Sequence, residues 1–476
     1  MKNKSSFSWD ELLLIENRLN EIKFINIPVG GLFAHFLYTS LFFNNFNDSN
    51  YNKVKINLLL LREKIVRGDK TDLLPTRNGV YIFNYTGKYD KLLDFFRPLY
   101  PHFENSEIVF ISKESEQSNE LSGSSFIYPK NLSKRAKHEW KIHFKETEKS
   151  FNKLEPKLRE LQISLTLIKY FRYCLIKQTQ KLFFFLEYIE HSKPKAVLTD
   201  HDRQMINSSL VLAAKAKGVP TFTFIHGSTD PAPDFIPLLA DYMLCWGQYH
   251  FQQFTSLGIP PEKLIIAGNP KISIETTINK EIIKEKLNLD NRLVAVFASN
   301  PINIQEKLEL AEMFCSCISL VASEYKGIFK LHPNETLGDY SSLINKYPET
   351  IFLTSKDILN EEIFAIADLI VCHNSTIAID ALIKKIPVII THPDFITYPL
   401  GLGEKLLEEA KCPGAKDTDK LINIFTQCVA SEFRDNLIIN SKNYIDNYCN
   451  RFDIESAKFI VEKIKVSRHD NSDHEI

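Results

Sequence analysis

Residues Asp368–Pro393 read DLIVCHNSTIAIDALIKKIPVIITHP, and this stretch decides the fold. Two short apolar runs, DLIVCHN (Asp368–Asn374) and PVIITHP (Pro387–Pro393), flank the apolar-periodic stretch Ser375–Lys384. Runs that short and that apolar fit strands buried on both faces of a parallel sheet, and the stretch between them fits a helix. Strand, helix, strand is the repeating unit of an α/β domain.

Working outward, the same alternation fills both halves of the chain. In the second half, LIIAGNP, LVAVFAS (Leu293–Ser299), GIFKLHP and TIFLTS (Thr350–Ser355) read as strands, with a helix over Ile304–Glu324. In the first half, strands are expected at Lys55–Leu61, Gly79–Tyr85, Ser106–Ser112, Lys195–Asp200 and Thr221–Gly227. The last two are joined by NSSLVLAAKAKGVP, a short helix ended by Gly218 and Pro220. The fold class is therefore α/β, with two doubly wound, Rossmann-like domains, 1–270 and 271–466, and a disordered tail over 467–476. Ligands of such folds bind at the carboxyl ends of the strands, which places candidate residues on the loops that face a central cleft.

A helical insertion is expected over about 131–191, broken at Pro156. Lysines at 137, 141, 145, 149, 153 and 157 recur every fourth residue along it. Two readings stand side by side. One is a basic surface for anionic lipid or a charged polymer; the other is a solvated helix face, since Glu146, Glu148 and Glu155 are interleaved.

Composition narrows the classes. Of 476 residues, 44% are apolar and 25% charged, with 58 basic and 59 acidic side chains, so no global field favours nucleic acid. Eight cysteines form no C-x-x-C pair, which argues against a zinc knuckle or a disulfide framework. The N-terminus lacks the apolar core of a signal peptide. GGLFAHFLYTSLFF (Gly30–Phe43) is too short to span a bilayer and reads as a buried helix. The expected location is cytoplasmic, with peripheral contact at the inner face of the cell membrane left open by the lysines.

Four polar clusters fall at predicted strand ends. They are LTDHDRQ with Asp200 and Asp202, FIHGSTDPAPD with His226 and Asp230, KLHPNE with Lys330, His332, Pro333 and Asn334, and CHNSTIAIDAL with Asn374, Ser375, Thr376 and Asp380. Asn374 or Ser375 can cap the helix that follows, whose amide end favours a phosphate. Pro333 ends its strand so that His332 faces the cleft, where it can donate to a phosphate oxygen beside Lys330. Ser299 and Asn300, in VFASNP, border the same place. No P-loop, no G-x-G-x-x-G and no D-x-D triplet occurs, and no metal site is expected.

These motifs resemble a known group, the bacterial surface-polysaccharide transferases of the GT-B fold. FIHGSTDPAPDFIPLLADYMLCWGQYHFQQFTSLGIPPEKLIIAGNPK (Phe224–Lys271), followed by FKLHPNE and EEIFAIADLIVCHNSTIAIDALIKKIPVIIT, is similar in order to teichoic-acid polymerases that use CDP-glycerol or CDP-ribitol. Those carry a His-Gly loop, a K-x-H-P strand end and an Asp-Tyr-Ser-Ser loop. Capsule sialyltransferases and Kdo transferases, which use CMP-linked sugars, also carry an His-Pro element and a Ser/Thr-rich loop. The resemblance covers roughly Lys195–Asp394. It departs where His373-Asn374-Ser375-Thr376 replaces Asp-Tyr-Ser-Ser, and it lacks the acidic pair before glycine of many sialyltransferases and the Glu-x7-Glu of retaining enzymes.

The resemblance implies an acceptor-side N-terminal domain and a donor-binding C-terminal domain. It implies an inverting, metal-independent glycosyltransferase acting on a capsule, lipopolysaccharide or related surface glycan. No permanently bound cofactor is expected; a nucleotide-sugar donor is the co-substrate, and a glycan or glycolipid acceptor the partner. The general base is expected among Asp200, Asp202, His226 and Asp230, and the phosphate clamp among His332, Ser375 and Thr376. CDP-polyol phosphotransfer, UDP-sugar 2-epimerisation and a non-catalytic role in an assembly complex are the alternatives.

Overall fold

The structure, a computed structural model, describes residues 8–34, 37, 81–84, 96, 98–103, 108–111, 125–127, 132–225, 235–272, 278–300, 303–396 and 401–467. After the helix Trp9–Leu19, a hairpin of β1 (Lys23–Phe24) and β2 (Ile27–Pro28) turns through Ile25 and Asn26, both at positive φ. Among the described residues, seven parallel strands then build a first sheet: β3 (Tyr81–Asn84), β4 (Ile108–Ile111), β5 (Ser125–Ile127), β6 (Ala196–Thr199), β7 (Thr221–Phe224), β8 (Tyr242–Cys245) and β9 (Leu264–Ile266). Six more build a second: β10 (Leu293–Ala298), β11 (Tyr325–Lys330), β12 (Thr350–Leu353), β13 (Leu369–Cys372), β14 (Val388–Thr391) and β15 (Gly414–Ala415).

Strand order is β5-β4-β3-β6-β7-β8-β9 in the first sheet and β12-β11-β10-β13-β14-β15 in the second. Each sheet grows outward from its first strand, then reverses and grows the other way. The reversal falls between β3 and β6 in one sheet and between β10 and β13 in the other, and a crevice opens at each reversal above the strand ends. This is the expected pair of Rossmann-like domains, the GT-B arrangement.

Both faces of both sheets are covered, which is why the strands are legible as unbroken apolar runs. On the first sheet, Ile82, Val109, Ile111 and Val197 pack under the helices Lys134–Glu160, Leu165–Ser192 and Met205–Ala216. The opposite face, with Phe83, Phe110, Leu198 and Phe222, receives Ala457, Ile460, Val461 and Ile464 of the final helix Asp453–Val466. Residues 453–466 were expected to belong to the second unit. Their apolar stripe instead completes the core of the first, each large side chain there contributing about 1.5–3 kcal/mol. On the second sheet, Val296, Ala298, Ile370 and Ile390 face one core, and Phe297, Phe329 and Val371 face another.

Pro156 and the Gly30–Phe43 stretch also depart from expectation. Pro156 does not break the insertion: it lies inside the continuous helix Lys134–Glu160. Phe151, Leu154 and Leu158 are buried on either side of it in one register, and their packing offsets the roughly 3 kcal/mol of a mid-helix proline. Gly30–Phe33, read as the start of a buried helix, is buried but forms a 3-10 turn, held by Asn20 Oδ1 accepting from the Gly30 amide at 2.8 Å. Residues 35, 36 and 38–43 of that stretch, the strand expected at 55–61 and the tail at 468–476 lie outside the described residues. No described helix is long and apolar enough to cross a membrane.

Candidate functional site

At the reversal of the second sheet, the loops after β10, β11 and β13 bring Ser299–Asn300, Lys330–Glu335 and His373–Thr376 to one edge. The backbone stitches them together, the Ser299 amide donating to the Lys330 carbonyl at 3.0 Å. Across the crevice, Asn300 Nδ2 donates to the Asn374 carbonyl. That bond fixes the amide orientation, because a flipped Asn300 would set its oxygen against a carbonyl. Asn300 Oδ1 is then left buried without a hydrogen-bond partner among the described residues, an acceptor awaiting a donor.

The KLHPNE turn is organised by a residue that the sequence reading passed over. Glu335 is buried; its Oε2 accepts from the His332 amide at 2.9 Å and its Oε1 from Ser299 Oγ at 3.0 Å. Lys307, on helix Ile304–Leu320, lies 3.3 Å from the same Oε1. A carboxylate three residues after an amide it accepts from is the spacing of a capping box, and that spacing was the available signal. His332 Nδ1 accepts from the Asn334 amide at 3.2 Å. In the neutral ring the proton therefore sits on Nε2, which becomes a donor.

Lys330 is only 8% exposed, and burial lowers the pKa of its ammonium. Among the described residues it has no carboxylate partner. A buried cation without a counter-charge is costly, so its presence at a strand end points to an anionic ligand.

The HNST loop differs from expectation in its details. Helix Ile377–Ile383 starts at Thr376, whose φ of −63° and ψ of −19° are already helical, and no side chain caps it. Capping needs an extended residue at that position, so neither Asn374 nor Ser375 serves as the cap. Asn374 Oδ1 instead accepts from the Leu402 amide at 3.1 Å, beside Gly401, whose φ is +50°. The half-buried hydroxyls of Ser375 and Thr376 stay uncommitted to capping. His373 is buried, and its Nδ1 donates to the Thr391 carbonyl at 2.7 Å. Burial pushes the Asp380 carboxyl up to about 6; Lys271 and Lys384 pull it down and Glu361 pushes it up. His392, the second His-Pro histidine, packs against Gly414, where an added Cβ would lie 2.5 Å from His392 Nε2.

At the reversal of the first sheet two of the expected acids each hold structural partners through one oxygen. Asp200 Oδ1 accepts from Asn207 Nδ2 at 3.0 Å. Asp202 is 0% exposed, and its Oδ2 accepts from the Leu239 and Ala240 amides at 2.7 and 2.8 Å. Burial raises its pKa, and while Oδ2 holds the 239–240 backbone, its Oδ1 is buried with no hydrogen-bond partner among the described residues. The neighbouring Arg203 forms a buried pair with Glu16 at 2.7 Å and donates to the Pro237 carbonyl at 3.0 Å. His226 and Asp230 lie outside the described residues. Among the described residues, no group of three or more His, Cys, Asp or Glu side chains is placed to hold a metal. All eight cysteines are buried free thiols.

Two facing Rossmann-like domains with the crevice residues at strand ends define a chain of the GT-B fold class. Among solved structures, it is similar to a UDP-N-acetylglucosamine 2-epimerase from Neisseria meningitidis bound to UDP-GlcNAc, at 14% identity and a TM-score of 0.53, over 82% of this chain and 100% of that one. It is also similar to a second UDP-N-acetylglucosamine 2-epimerase at 11% identity and a TM-score of 0.53, over 83% and 97% of the two chains. The wall teichoic acid polymerase TagF matches at 12% identity and a TM-score of 0.51, over 94% of this chain and 99% of that one. No protein-family profile and no curated protein matches the sequence.

Proposed function

We propose that this protein is a glycosyltransferase that moves a sugar from a nucleotide-activated donor onto a bacterial cell-surface glycan or glycolipid. The observation that carries the reading is Lys330, a buried cation with no carboxylate partner among the described residues, on the same sheet edge as the His332 turn and the loop that carries Ser375 and Thr376. Those groups form a clamp for the donor phosphate. Its charge grows as the glycosidic bond breaks, and fixed donors in a partly dehydrated crevice stabilise that charge without reorganising.

The acceptor hydroxyl needs a base from the N-terminal domain. The candidates are Asp200, Asp202, His226 and Asp230; since Asn207 and the 239–240 backbone each hold one oxygen of the first two, we favour His226 or Asp230. The motif resemblance suggests a cytidine donor, CMP-linked among the options, and a single displacement would invert the anomeric carbon. A membrane-facing role for the lysines of helix Lys134–Glu160 belongs to the same proposal, Lys141, Lys145, Lys149, Lys153 and Lys157 all being exposed.

One observation favours a second reading, CDP-polyol phosphotransfer: the likeness to a teichoic acid polymerase spans 94% of this chain, against 82% and 83% for the epimerases. Thermal-shift measurements with CMP, CDP, UDP and GDP test the nucleotide, since a ligand of the native state raises the midpoint by mass action. Phosphorus carried into the product polymer would select phosphotransfer over glycosyl transfer. Retention of anomeric configuration would overturn the single displacement. Unchanged surface glycan in cells carrying His332→Ala would sink the catalytic reading altogether.

A further inference from the structure

We infer that Glu335 and Lys307 form a positioning pair that sets the hydrogen-bonding face of His332 while keeping the crevice electrically open to an anion. The inference rests on the reading of this crevice as a nucleotide-phosphate site. Neither residue is expected to touch the ligand; each acts through groups that do.

The geometry is a relay across two strand ends. One carboxylate holds the β10 loop through Ser299 Oγ at 3.0 Å and the β11 turn through the His332 amide at 2.9 Å. The Glu335 amide closes the same turn by donating to the His332 carbonyl at 2.9 Å. In that closed turn the Asn334 amide reaches His332 Nδ1, at 3.2 Å, and assigns the ring proton to Nε2. Free histidine exchanges between tautomers, so a ring meant to donate in one direction needs such a partner.

The charges explain why Lys307 is present. Glu335 is a buried negative charge beside a proposed phosphate site, and by itself it would repel the ligand. Lys307, 3.3 Å away and with its side chain only 13% exposed, cancels it. The turn thus gains a rigid carboxylate acceptor while Lys330 remains a buried cation with no carboxylate partner among the described residues. The two members of the pair should therefore fail unequally. Glu335→Gln loosens the turn but removes a repulsive charge, whereas Lys307→Met keeps the turn bonds and strands a buried negative charge at the site.

The test uses the full chain labelled with 15N-histidine, the His332 signals being assigned by their loss in His332→Gln. In the unaltered protein the two ring nitrogens of His332 should show the well-separated shifts of a fixed Nε2–H tautomer. In Glu335→Gln they should move toward the averaged values of a mixed ring. Affinities for CMP, CDP and UDP, measured by calorimetry, should fall about tenfold in Glu335→Gln and about a hundredfold in Lys307→Met. The double variant should bind better than Lys307→Met alone, a recovery that loss of packing does not produce. An unchanged His332 signature in Glu335→Gln overturns the inference, as does equal binding by the two single variants. If Glu335→Gln does not fold, the comparison of Lys307→Met with the unaltered chain decides: undiminished nucleotide binding overturns the pair. Failure of the unaltered chain to bind any of the three nucleotides counts against the phosphate-site reading, and the ring signature then decides the positioning role separately.

Discussion

Replacing Asp380 by asparagine should stabilise the protein above neutral pH and leave it unchanged in acid. The folded state holds this carboxyl at about 6, against an ordinary 3.8, chiefly because burial disfavours its charge. At 1.36 kcal/mol for each pH unit, that difference corresponds to about 3 kcal/mol. The sign follows from which state binds the proton more tightly. The folded carboxyl does, so native stability is full below about pH 4, falls as pH rises through about 6, and levels off above it. Asparagine has no charge to desolvate, and Lys384 keeps its partner Glu361 at 3.1 Å. Urea unfolding of both proteins at about pH 4, 5, 6, 7 and 8 should give curves that coincide at the acid end and differ by about 3 kcal/mol at the alkaline end. A difference that does not change with pH, or an asparagine variant that is weaker at about pH 8, would refute the reasoning. A carboxylate retained at such cost also invites a functional test, since active sites hold destabilising groups. If the variant gains stability but loses CMP, CDP or UDP affinity, Asp380 touches the donor; if affinity is kept, it is structural.

Other outcomes follow from the same structure. Glu16→Ala leaves Arg203 buried without its carboxylate and should cost about 3–5 kcal/mol in urea unfolding, while replacing both members by methionine should cost less. Pro156→Ala restores a missing helix hydrogen bond in helix Lys134–Glu160 and should raise stability by about 1–3 kcal/mol; a loss would show that the packing requires the proline's distortion. His250 is fully buried against Trp246 and Tyr448, and burial holds its pKa down to about 3. Its depressed pKa removes stability as pH falls from about 6.5 toward 3, so His250→Phe should flatten the acid limb of the stability profile by about 3 kcal/mol down to about pH 4, the lowest point of the same unfolding series.

The alternation of strands and helices was legible because parallel strands buried on both faces must be apolar throughout, as in LVAVFA and LIVC. Helix ends were legible where glycine marked them: Gly218 sits at φ +68° two residues beyond helix Met205–Ala216. The clustering of His332, Ser299 and the HNST loop was legible too, since parallel strands deliver all their carboxyl-end loops to one edge.

What the sequence determined by itself was therefore the class of fold and the edge on which a site could form. Only the tertiary structure decided which polar residues are free to act there. Asp202 and Glu335 are both acids near a strand end, but one is sealed onto the 239–240 backbone and the other joins Ser299 to the His332 turn. Those partners lie 37 and 36 residues away from them in the chain. The final helix makes the same point on a larger scale, its apolar stripe being plain in sequence while its home in the first sheet is not. Periodicity reports that a face is buried; hydrogen-bond partners and packing partners are chosen by three-dimensional proximity, and local sequence carries no record of that choice.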